Sequence, residues 1–537
     1  SKQLAKELIN NFKSGDEIAV IPIVADPNFQ TNPSSDFSLV QKLIEEIQTS
    51  STRKTLNEAL ITAGKILYES KNFNKEIYLL TDLQSGSLYN QESELSKISE
   101  LLKDSKLFYI DLNKKSSINL GVDSIKLNTQ IFEKNKQINF QASVKNYSDV
   151  NGVGSVVSLF INNKRSAQQS ITLNSKESKE IYFESTLNDT GLVNASVELE
   201  DDDIIPDNKQ FISFYVPDKI KVLLLYDNYE DLKFVRLVLN NQVLNNFQVS
   251  ELSILQLPSH NLQKYDAIVI AANPVDNTIQ QIKSFIDNGG GLLVFPTSNG
   301  NINSIQNFFE RLELPKPDGF VGKQNSIESP AQFEKIDFNH PLFANLFEDR
   351  SKTKLDSPEI YYYMKFNPGI RGKNIISMFD KSSFLSEFRA GSGKVIVFNI
   401  SPVLSWSTFP LKSVFPALLS KSILYLASQN KEEQNIFCGD EVFITRPTSN
   451  QLKVIYPNEV VELINVDASQ NQSYIRFANT GLIGTYRFYS GNKLIDYISV
   501  NHDPRESTTE YYSVSELENY LENIGWEENI IVLEDGQ

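Results

Sequence analysis

The sequence DKIKVLLLYDNYEDLKFVRLVLN, at residues 218–240, begins the stretch that decides how this 537-residue chain folds. Two more apolar runs follow, AIVIAA at 267–272 and LLVF at 292–295, and a segment with helical spacing precedes each of them. Continuous apolar runs suit strands that are buried on both faces, and their alternation with helices favours a parallel sheet. The stretch up to Gly300 therefore predicts an α/β core around which the other segments are arranged.

Length and composition bound the rest of the chain. The length predicts about three or four domains, and hydrophobic residues make up 40%, which is enough for several cores. The 51 Lys and Arg residues against 67 Asp and Glu give a net charge of −16. That balance argues against nucleic-acid binding and against adsorption to an anionic membrane surface, because both partners attract basic faces.

Cysteine and histidine are rare. The single Cys438 excludes an internal disulfide and a Cys-based zinc cluster. His260, His340 and His502 lie far apart and show no metal-ligand spacing. No apolar run reaches the roughly 18 residues that a membrane helix needs, and no signal peptide is evident. The sequence as given therefore predicts a soluble chain.

Residues 1–113 alternate helical and strand-like patterns. The phrases KSGDEIAVIPI at 13–23, TLNEALITAGKIL at 55–67 and EIYLLTDLQSG at 76–86 carry the pattern. Residues 18–24 predict a strand because they are almost continuously apolar. In order and spacing this region resembles a von Willebrand factor A domain that is entered at its first helix. The resemblance implies an α/β domain that lacks its first strand.

The same resemblance implies a metal site. Domains of that family hold Mg²⁺ through an Asp-x-Ser-x-Ser loop, a Thr and an Asp at a strand end. Asp82 matches the last of these, Lys54 stands where Thr is expected, and the loop would precede Ser1. A cationic side chain repels Mg²⁺. We therefore predict that Asp82 is a vestigial metal-site position; the alternative is metal-dependent adhesion, if an upstream loop completes the site.

Residues 114–217 change to a period of two, as in INFQASV at 138–144. Short alternating strands between turn signals predict an immunoglobulin-like β-sandwich. The acidic run DDDIIPDN at 201–208 could attract Ca²⁺, but it lacks the glycine and the spacing of an EF-hand loop. We therefore predict that the run is a solvated connection with a turn at Asp207 and Asn208.

Residues 218–430 resemble class I glutamine amidotransferase-like domains, which are Rossmann-like. The resemblance is carried by YDAIVIAAN, IDNGGGLLVF, NHPLF and GKVIVFNISPVLSWSTFPLKSVFPALL. Enzymes of that class need a Cys on a strand-to-helix elbow with a base nearby. The elbows of this chain would follow the apolar runs at 267–272 and 292–295, and neither carries Cys. Cys438 falls outside the core sheet. Gly289–Gly291 precede a strand rather than a helix, so nucleotide binding is not indicated.

Three polar or aromatic residues could still give the core an activity. Ser298 could replace the missing nucleophile, but its segment lacks G-x-S-x-G. His340, in Asn339-His340-Pro341, is expected to order a loop rather than to act as a base, since no nucleophile partner is evident. Trp406 could line a groove, but a packed core position is the expectation. We therefore predict no catalytic residues and no cofactor.

Residues 431–505 predict a small β-sandwich module of short strands, and residues 506–537 an acidic helical tail that leads to a presumed membrane helix. The acidic tail is expected to present a solvated face rather than a metal site. The predicted fold class is thus multidomain α/β plus β, with units at 1–113, 114–217, 218–430, 431–505 and 506–537.

The order of these units resembles the bacterial BatA-like family, which is linked to aerotolerance operons. The marks that carry this resemblance are YLLTDLQSG, DDDIIPDN, LSWSTFPLKSVFPALL and VNHDPRES. The resemblance implies a protein that is anchored by flanking membrane helices, with this chain on the periplasmic or extracytoplasmic side. It also implies binding to protein partners, among them products of the same operon.

Two classes of function follow from the sequence. The first is a non-enzymatic scaffold that binds protein partners or envelope components. The second is a hydrolase or small-ligand sensor that uses Ser298, His340 or Trp406 at the carboxyl ends of the core strands. The positions that these side chains take in the fold discriminate between the two.

Overall fold

The structure is a computed structural model. It describes residues 1–24, 29–84, 100–102, 105–112, 118–200, 202–241, 246–326, 330–344, 355–428, 435–447, 449–466, 474–523 and 531–533. The chain is a mixed α/β protein with several separate sheets. Among the described residues, no helix is both long and apolar enough to cross a membrane.

The N-terminal unit is built on a three-stranded parallel sheet with the order β1-β2-β27. Its third strand comes from the far end of the chain. Leu56 and Leu60 of its third helix face this sheet and are buried with Leu79 and Leu107. The elements are α1 (Lys2–Ile9), α2 (Phe37–Glu46), α3 (Leu56–Glu69), β1 (Glu76–Thr81), β2 (Lys106–Asp111), α8 (Val514–Asn523) and β27 (Ile531–Leu533).

The strand predicted at 18–24 is wrong. The segment makes one isolated bridge, between Ile18 and Ser34, and its residues are only half-buried. A strand needs a neighbour for its backbone groups, and the edge of β1 opposite β2 pairs with no strand in the described part of the chain. An apolar pattern alone therefore did not suffice here.

The C-terminal segment forms the helix that the sequence predicted, with a solvated acidic face, but its other face is buried. Leu517, Tyr520 and Leu521 follow helical spacing and are buried against Leu56 and Leu60 of α3. The backbone of β27 continues the sheet beside β2. The C-terminal segment therefore shares one core with α3, β1 and β2, and only the polar face of α8 is solvated.

Residues 120–216 form two packed antiparallel sheets, β3-β4-β7 and β6-β5-β8-β9. The alternating pattern of β4 places Ile138, Phe140, Ala142 and Val144 in the core between them. The sequence expectation of a two-layer β arrangement agrees with this topology. The strands are β3 (Leu120–Leu127), β4 (Gln137–Asn146), β5 (Val153–Ile161), β6 (Lys164–Leu173), β7 (Ser178–Thr186), β8 (Gly191–Glu198) and β9 (Lys209–Val216).

The α/β core contains an eight-stranded sheet with the order β11-β10-β12-β13-β19-β18-β17-β15. The first five strands are parallel and the last three are antiparallel additions. The elements are β10 (Ile220–Tyr226), α4 (Lys233–Leu239), β11 (Phe247–Ser253), β12 (Ala267–Ala271), α5 (Asp276–Asp287), β13 (Gly291–Val294), α6 (Ile302–Arg311), β14 (Gly319–Gly322), β15 (Phe333–Ile336), β16 (Tyr362–Lys365), β17 (Gly372–Met378), β18 (Ser383–Ala390), β19 (Gly393–Phe398) and α7 (Val414–Ala427).

The apolar runs are buried on both faces, as the sequence predicts. Val222 and Leu224 of β10 pack with α4 and α7, whereas Leu223 and Leu225 pack with α5 and α6. Because α4 and α5 lie on opposite faces, the crossovers that follow β10 and β12 diverge. Their carboxyl ends therefore flank the crevice in which open α/β sheets bind ligands.

The last β-module has a five-stranded sheet, β20-β26-β25-β22-β23, and a two-stranded one, β21-β24. It is joined to the sandwich through β9: Asn501 exchanges hydrogen bonds with the backbone of Phe211, and Ser213 meets Thr485 and Ser499. The strands are β20 (Ile436–Phe437), β21 (Val442–Thr445), β22 (Gln451–Ile455), β23 (Val461–Asn465), β24 (Tyr474–Phe477), β25 (Gly484–Ser490) and β26 (Lys493–Asn501).

Candidate functional site

The crevice at the carboxyl ends of β10 and β12 is bridged by its own side chains. Asp227 follows β10, and its Oδ2 accepts the backbone N–H of Asn273 at 2.7 Å and the Asn273 amide at 2.9 Å. The same amide also donates to Thr297 Oγ1, after β13, at 3.3 Å. These bonds tie three strand ends together where a ligand would otherwise enter.

Ser298 lies beside this bridge and is fixed by a buried carboxylate. Its hydroxyl donates to Asp231 Oδ1 at 2.6 Å, and its backbone N–H donates to Asp231 Oδ2 at 2.9 Å. Asp231 is 1% exposed. A carboxylate that holds the hydroxyl and the N–H of one residue acts as a loop clamp. Activation of the Ser298 hydroxyl oxygen would also require a proton acceptor of suitable pKa on the side that faces a substrate.

Trp406 is fully buried above the same loop. Its Nε1–H points at the Ser298 carbonyl oxygen, 3.3 Å away. The rings of Tyr362 and Phe320 meet it edge-on, at centroid distances of 4.6 and 5.6 Å. With an exposed fraction of 0%, the indole packs the loop onto the core and offers no face to a ligand.

His340 belongs to a second polar cluster. The backbone N–H of Leu342 donates to its Nδ1 at 3.3 Å, so the ring proton lies on Nε2, which is 2.8 Å from Glu387 Oε2. Tyr425 donates to the other carboxylate oxygen at 2.6 Å. Burial disfavours the charge on Glu387, but the bonds from His340 and Tyr425 outweigh it and hold the pKa of that carboxyl below its usual value. Both nitrogens of His340 are thus engaged in ordering its loop.

The two clusters lie at different levels along the strands of the sheet. Ser298 follows the carboxyl end of β13, whereas Gly291, at the amino end of that strand, abuts Leu426 in the last turn of α7. Glu387 pairs with Ile396 of β19, which is level with Leu293 inside β13, so the cluster of Glu387, His340 and Tyr425 does not share the strand-end position of Ser298. Two open surface depressions, of 420 and 250 Å³, are lined by other residues. Of the sequence-predicted candidates, the structure brings Trp406 to Ser298 and places His340 in a separate cluster.

Cys438 lies between β20 and β21, inside the core of the last β-module. Burial, with a smaller contribution from Asp440, raises the pKa of the thiol to about 12. A thiol that stays protonated at neutral pH is a poor nucleophile.

Asp82 follows β1 and is exposed. The next residue, Leu83, is buried with a left-handed φ of 53°, and Gln84 turns its amide toward the C-terminal segment. Lys54, the predicted replacement for Thr, pairs with Glu58 at 3.1 Å. Arg53 instead faces the strand-end region and pairs with Glu506 at 3.2 Å.

These residues do not fit Mg²⁺. The ion prefers several oxygen ligands in octahedral geometry. Near Asp82, the Gln84 amide already donates to two carbonyls, and Glu506, the carboxylate on which Asp82 acts electrostatically, is paired with the Arg53 guanidinium. No group of three or more His, Cys, Asp and Glu side chains within the described residues is arranged to hold a metal ion. We therefore derive no metal chemistry at Asp82.

The acidic run after β8 differs from the predicted solvated connection. Asp201 lies outside the described residues, but Asp202 and Asp203 accept the backbone N–H groups of Leu120 and Ile118. Asp207 is buried, 2% exposed, and accepts the amide of Asn119 at 2.8 Å. Its burial raises the pKa of the carboxyl to about 7. The run thus anchors the start of β3, and Asp207 and Asn208 are core residues.

The Asp207→Asn variant is expected to gain stability relative to the wild type as the pH rises. The folded wild type holds the Asp207 proton up to about pH 7, whereas an unfolded Asp releases it near pH ~3.9. The wild type therefore loses stability as the pH rises from about 3.9 to about 7. The variant does not, because the Asn side chain has no proton to release in this range. Between pH 5 and pH 8 the difference should shift by about 2 to 3 kcal/mol in favour of the variant.

Urea denaturation of both proteins at the two pH values tests this expectation. His502, whose pKa is lowered to about 4 by burial, acts in the opposite direction, but it is common to both proteins and cancels in the difference. The exposed Asp218→Asn variant is the control and should show no shift. An Asp207→Asn difference that does not change with pH contradicts the assignment.

The sequence singled out Ser298, His340 and Asp82 by residue type, but it missed the groups that hold them. Asp231 and Glu387 bond their partners across 67 and 47 residues of sequence. No local pattern reports such a pairing. Asp231 did carry one usable signal, an acidic residue in the loop after a buried parallel strand.

The chain matches no model of a known protein family and no curated protein sequence. A cytoplasmic protein of Salmonella typhimurium (STM3548) aligns with 39% of this chain over 100% of its own, at 15% identity and a TM-score of 0.32. The CARDB domain of the PF1109 protein from Pyrococcus furiosus, in complex with di-metal ions, aligns with 19% of this chain over 97% of its own, at 19% identity and a TM-score of 0.18. An exo-beta-1,4-mannosidase from Opitutaceae bacterium strain TAV5 aligns with 39% over 36%, at 14% identity and a TM-score of 0.26. Likenesses this weak carry no argument about function.

Proposed function

We propose that this chain is a non-enzymatic interaction scaffold, the extracytoplasmic part of a membrane-anchored, BatA-like bacterial protein. In this proposal the N-terminal unit is von Willebrand factor A-like and the sandwich is immunoglobulin-like. The core is a Rossmann-like, amidotransferase-like domain that has lost its nucleophile. The partners are other proteins, among them products of the same operon, or components of the cell envelope.

The observation that carries the proposal is the separation of Ser298 from His340. Ser298 is clamped by Asp231 after the carboxyl end of β13, while His340 is held by Glu387, which is level with Leu293 inside β13. A nucleophile and its base must lie within hydrogen-bond reach of each other. The crevice beside Ser298, at the carboxyl ends of β10 and β12, is bridged by Asp227 and Asn273. A protein without such a pair is expected to act by binding partners through its surfaces.

A hydrolase or small-ligand sensor is the second candidate. The contact that favours it is the 2.6 Å bond between the Ser298 hydroxyl and Asp231, the one Ser–carboxylate pair at the carboxyl edge described above. A ligand would have to displace the Asn273 bridge in order to reach that hydroxyl. Metal-dependent adhesion through Asp82 has no such support, since Glu506, the carboxylate on which Asp82 acts electrostatically, is paired with the cationic Arg53.

A hydrolase panel tests the two candidates against each other. We expect the wild-type chain and the Ser298→Ala variant to give equal, background turnover on ester, amide, phosphoester and glycoside substrates. The Ser304→Ala variant, changed at a half-buried helix serine in the same core, is the matched control. Any turnover that Ser298→Ala abolishes and Ser304→Ala retains overturns the scaffold assignment in favour of the hydrolase.

A further inference from the structure

A segment from the C-terminal part of the chain occupies the strand-end face of the N-terminal unit. We call residues 503–512 the strap, and Arg53, Leu83 and Gln84 the strand-end groove. The Gln84 side-chain amide donates to the carbonyl oxygens of Glu506 and Thr508, at 2.8 and 2.7 Å. These residues lie 422 and 424 positions away in sequence.

The groove also holds the strap in a strand-like manner. The Tyr512 N–H donates to the Leu83 carbonyl at 2.8 Å, and Gln84 makes an isolated antiparallel bridge with Tyr511. Leu83 reaches this geometry with a φ of 53°, and Thr81 Oγ1 accepts its N–H at 3.2 Å. Non-glycine residues rarely adopt such a conformation, and where they do it often belongs to a binding element.

One side chain of the strap is recognised by charge. Glu506 lies 3.2 Å from Arg53 Nε, and both side chains are largely buried, with exposures of 31% and 16%. The other groove contacts go to backbone carbonyl and N–H groups, which every extended peptide presents. The carboxylate is carried by a single 3-10 turn, Pro504–Glu506, and the chain continues toward the strand-like contacts at Tyr511 and Tyr512. The groove therefore selects a segment that begins with an acidic turn and continues as an extended strand.

We infer that the strand-end groove is a recognition site for peptide segments in which an acidic turn is followed by an extended strand. In this state the strap fills the site, and an acidic segment of a partner protein competes for it. The inference rests on the proposed scaffold function and names the class of partner segment. The occupant that is present supplies the template: a carboxylate for Arg53, two carbonyls for Gln84 and an N–H for Leu83. Recognition of this kind combines β-strand addition with carboxylate capture.

The strap belongs to the same chain as the groove and therefore competes with any partner segment. It must be displaced before a partner segment can bind. Its other side is held by the sandwich: Asn119 donates to the Ser507 carbonyl at 2.7 Å, and Thr509 donates to the Tyr147 carbonyl at 2.7 Å. Tethering gives the strap an effective concentration on the order of millimolar. A partner segment therefore binds weakly until the strap is loosened.

The test uses the full-length chain and a labelled peptide, DPRESTTEYYS, which copies residues 503–513. Glu506→Ala loosens the strap and leaves the groove intact, so peptide affinity by fluorescence anisotropy should rise about tenfold over the wild type. Adding Arg53→Ala or Gln84→Ala in that background should reverse the gain. Arg53→Ala removes a charged contact and Gln84→Ala removes two amide hydrogen bonds, and each loss amounts to about a factor of ten. The neighbouring Lys54→Ala should leave the affinity unchanged.

Binding that is equal in the wild type and Glu506→Ala, or that survives both groove substitutions, overturns the inference. So does dimerisation of the wild-type chain that Gln84→Ala abolishes, because the occupant would then be a second copy. Arg53→Gln, which removes the charge but keeps much of the side-chain volume, replaces Arg53→Ala if circular dichroism shows that the latter fails to fold. Failure of this test leaves the hydrolase panel, and thus the scaffold proposal, unaffected.

Discussion

Replacing Leu517 with alanine is expected to destabilise the N-terminal unit by about 3 kcal/mol, although the substitution lies near the opposite end of the chain. Leu517 is 0% exposed and packs with Leu56, Leu60 and Leu79. Removing its side chain leaves a cavity that the two helices and the sheet can close only in part. The loss should therefore extend beyond α8 itself.

Hydrogen exchange is the measurement that separates local from shared stability. Faster exchange is expected in α3, β1 and β2 as well as in α8, because these elements share one core. Glu518→Ala, one residue further along the exposed face of α8, should leave exchange unchanged. If Leu517→Ala accelerates exchange in α8 alone, the C-terminal helix is an appendage and the shared core is refuted.

The α/β core was predictable because its signal is local. Each of the runs at 220–226, 267–272 and 292–295 is buried on both faces, and only a parallel sheet covered by helices on both sides buries every residue of a strand. The two-residue period of β4 likewise reports one buried and one open face. In both cases the pattern that sets the packing is contained within one element.

The N-terminal unit was not predictable in the same way. The apolar segment 18–24 carries a strand pattern but has no strand beside it, and β27 completes a sheet that begins more than half a chain earlier. The spacing of Leu517, Tyr520 and Leu521 does predict an amphipathic helix. It does not tell which surface that helix covers, because an apolar stripe can pack against any complementary apolar surface.

The candidate site divides along the same line. Residue type and position after a strand identified Ser298, and an Asn-His-Pro turn identified His340. Whether these groups react depends on what holds them, and Asp231 and Glu387 reach them through the folded core. Gln84 shows the same limit of sequence-based prediction more strongly. Its amide acquires a role only when folding brings the two carbonyls that it binds next to it.

Trp406→Ala is the second substitution with a large expected effect, a loss of about 3–5 kcal/mol from the α/β core. The indole is 0% exposed and is enclosed by the rings of Tyr362 and Phe320. Its N–H also satisfies the Ser298 carbonyl, which Gln324 contacts from another side. Truncation therefore removes a large apolar volume together with one support of the strand-end loop.

Calorimetric melting of Trp406→Ala, with Leu404→Ala as the control, distinguishes the two roles that the sequence allowed for this residue. Leu404 is in the same loop but 45% exposed, so its truncation should cost less than about 1 kcal/mol. A tryptophan that lined an open groove would behave like Leu404, because little of its surface would leave water on folding. A core tryptophan should instead lower the melting temperature sharply, and Trp406→Phe should recover part of the loss because the aromatic volume is kept. A small effect of Trp406→Ala would reopen the groove and, with it, the small-ligand candidate at Ser298.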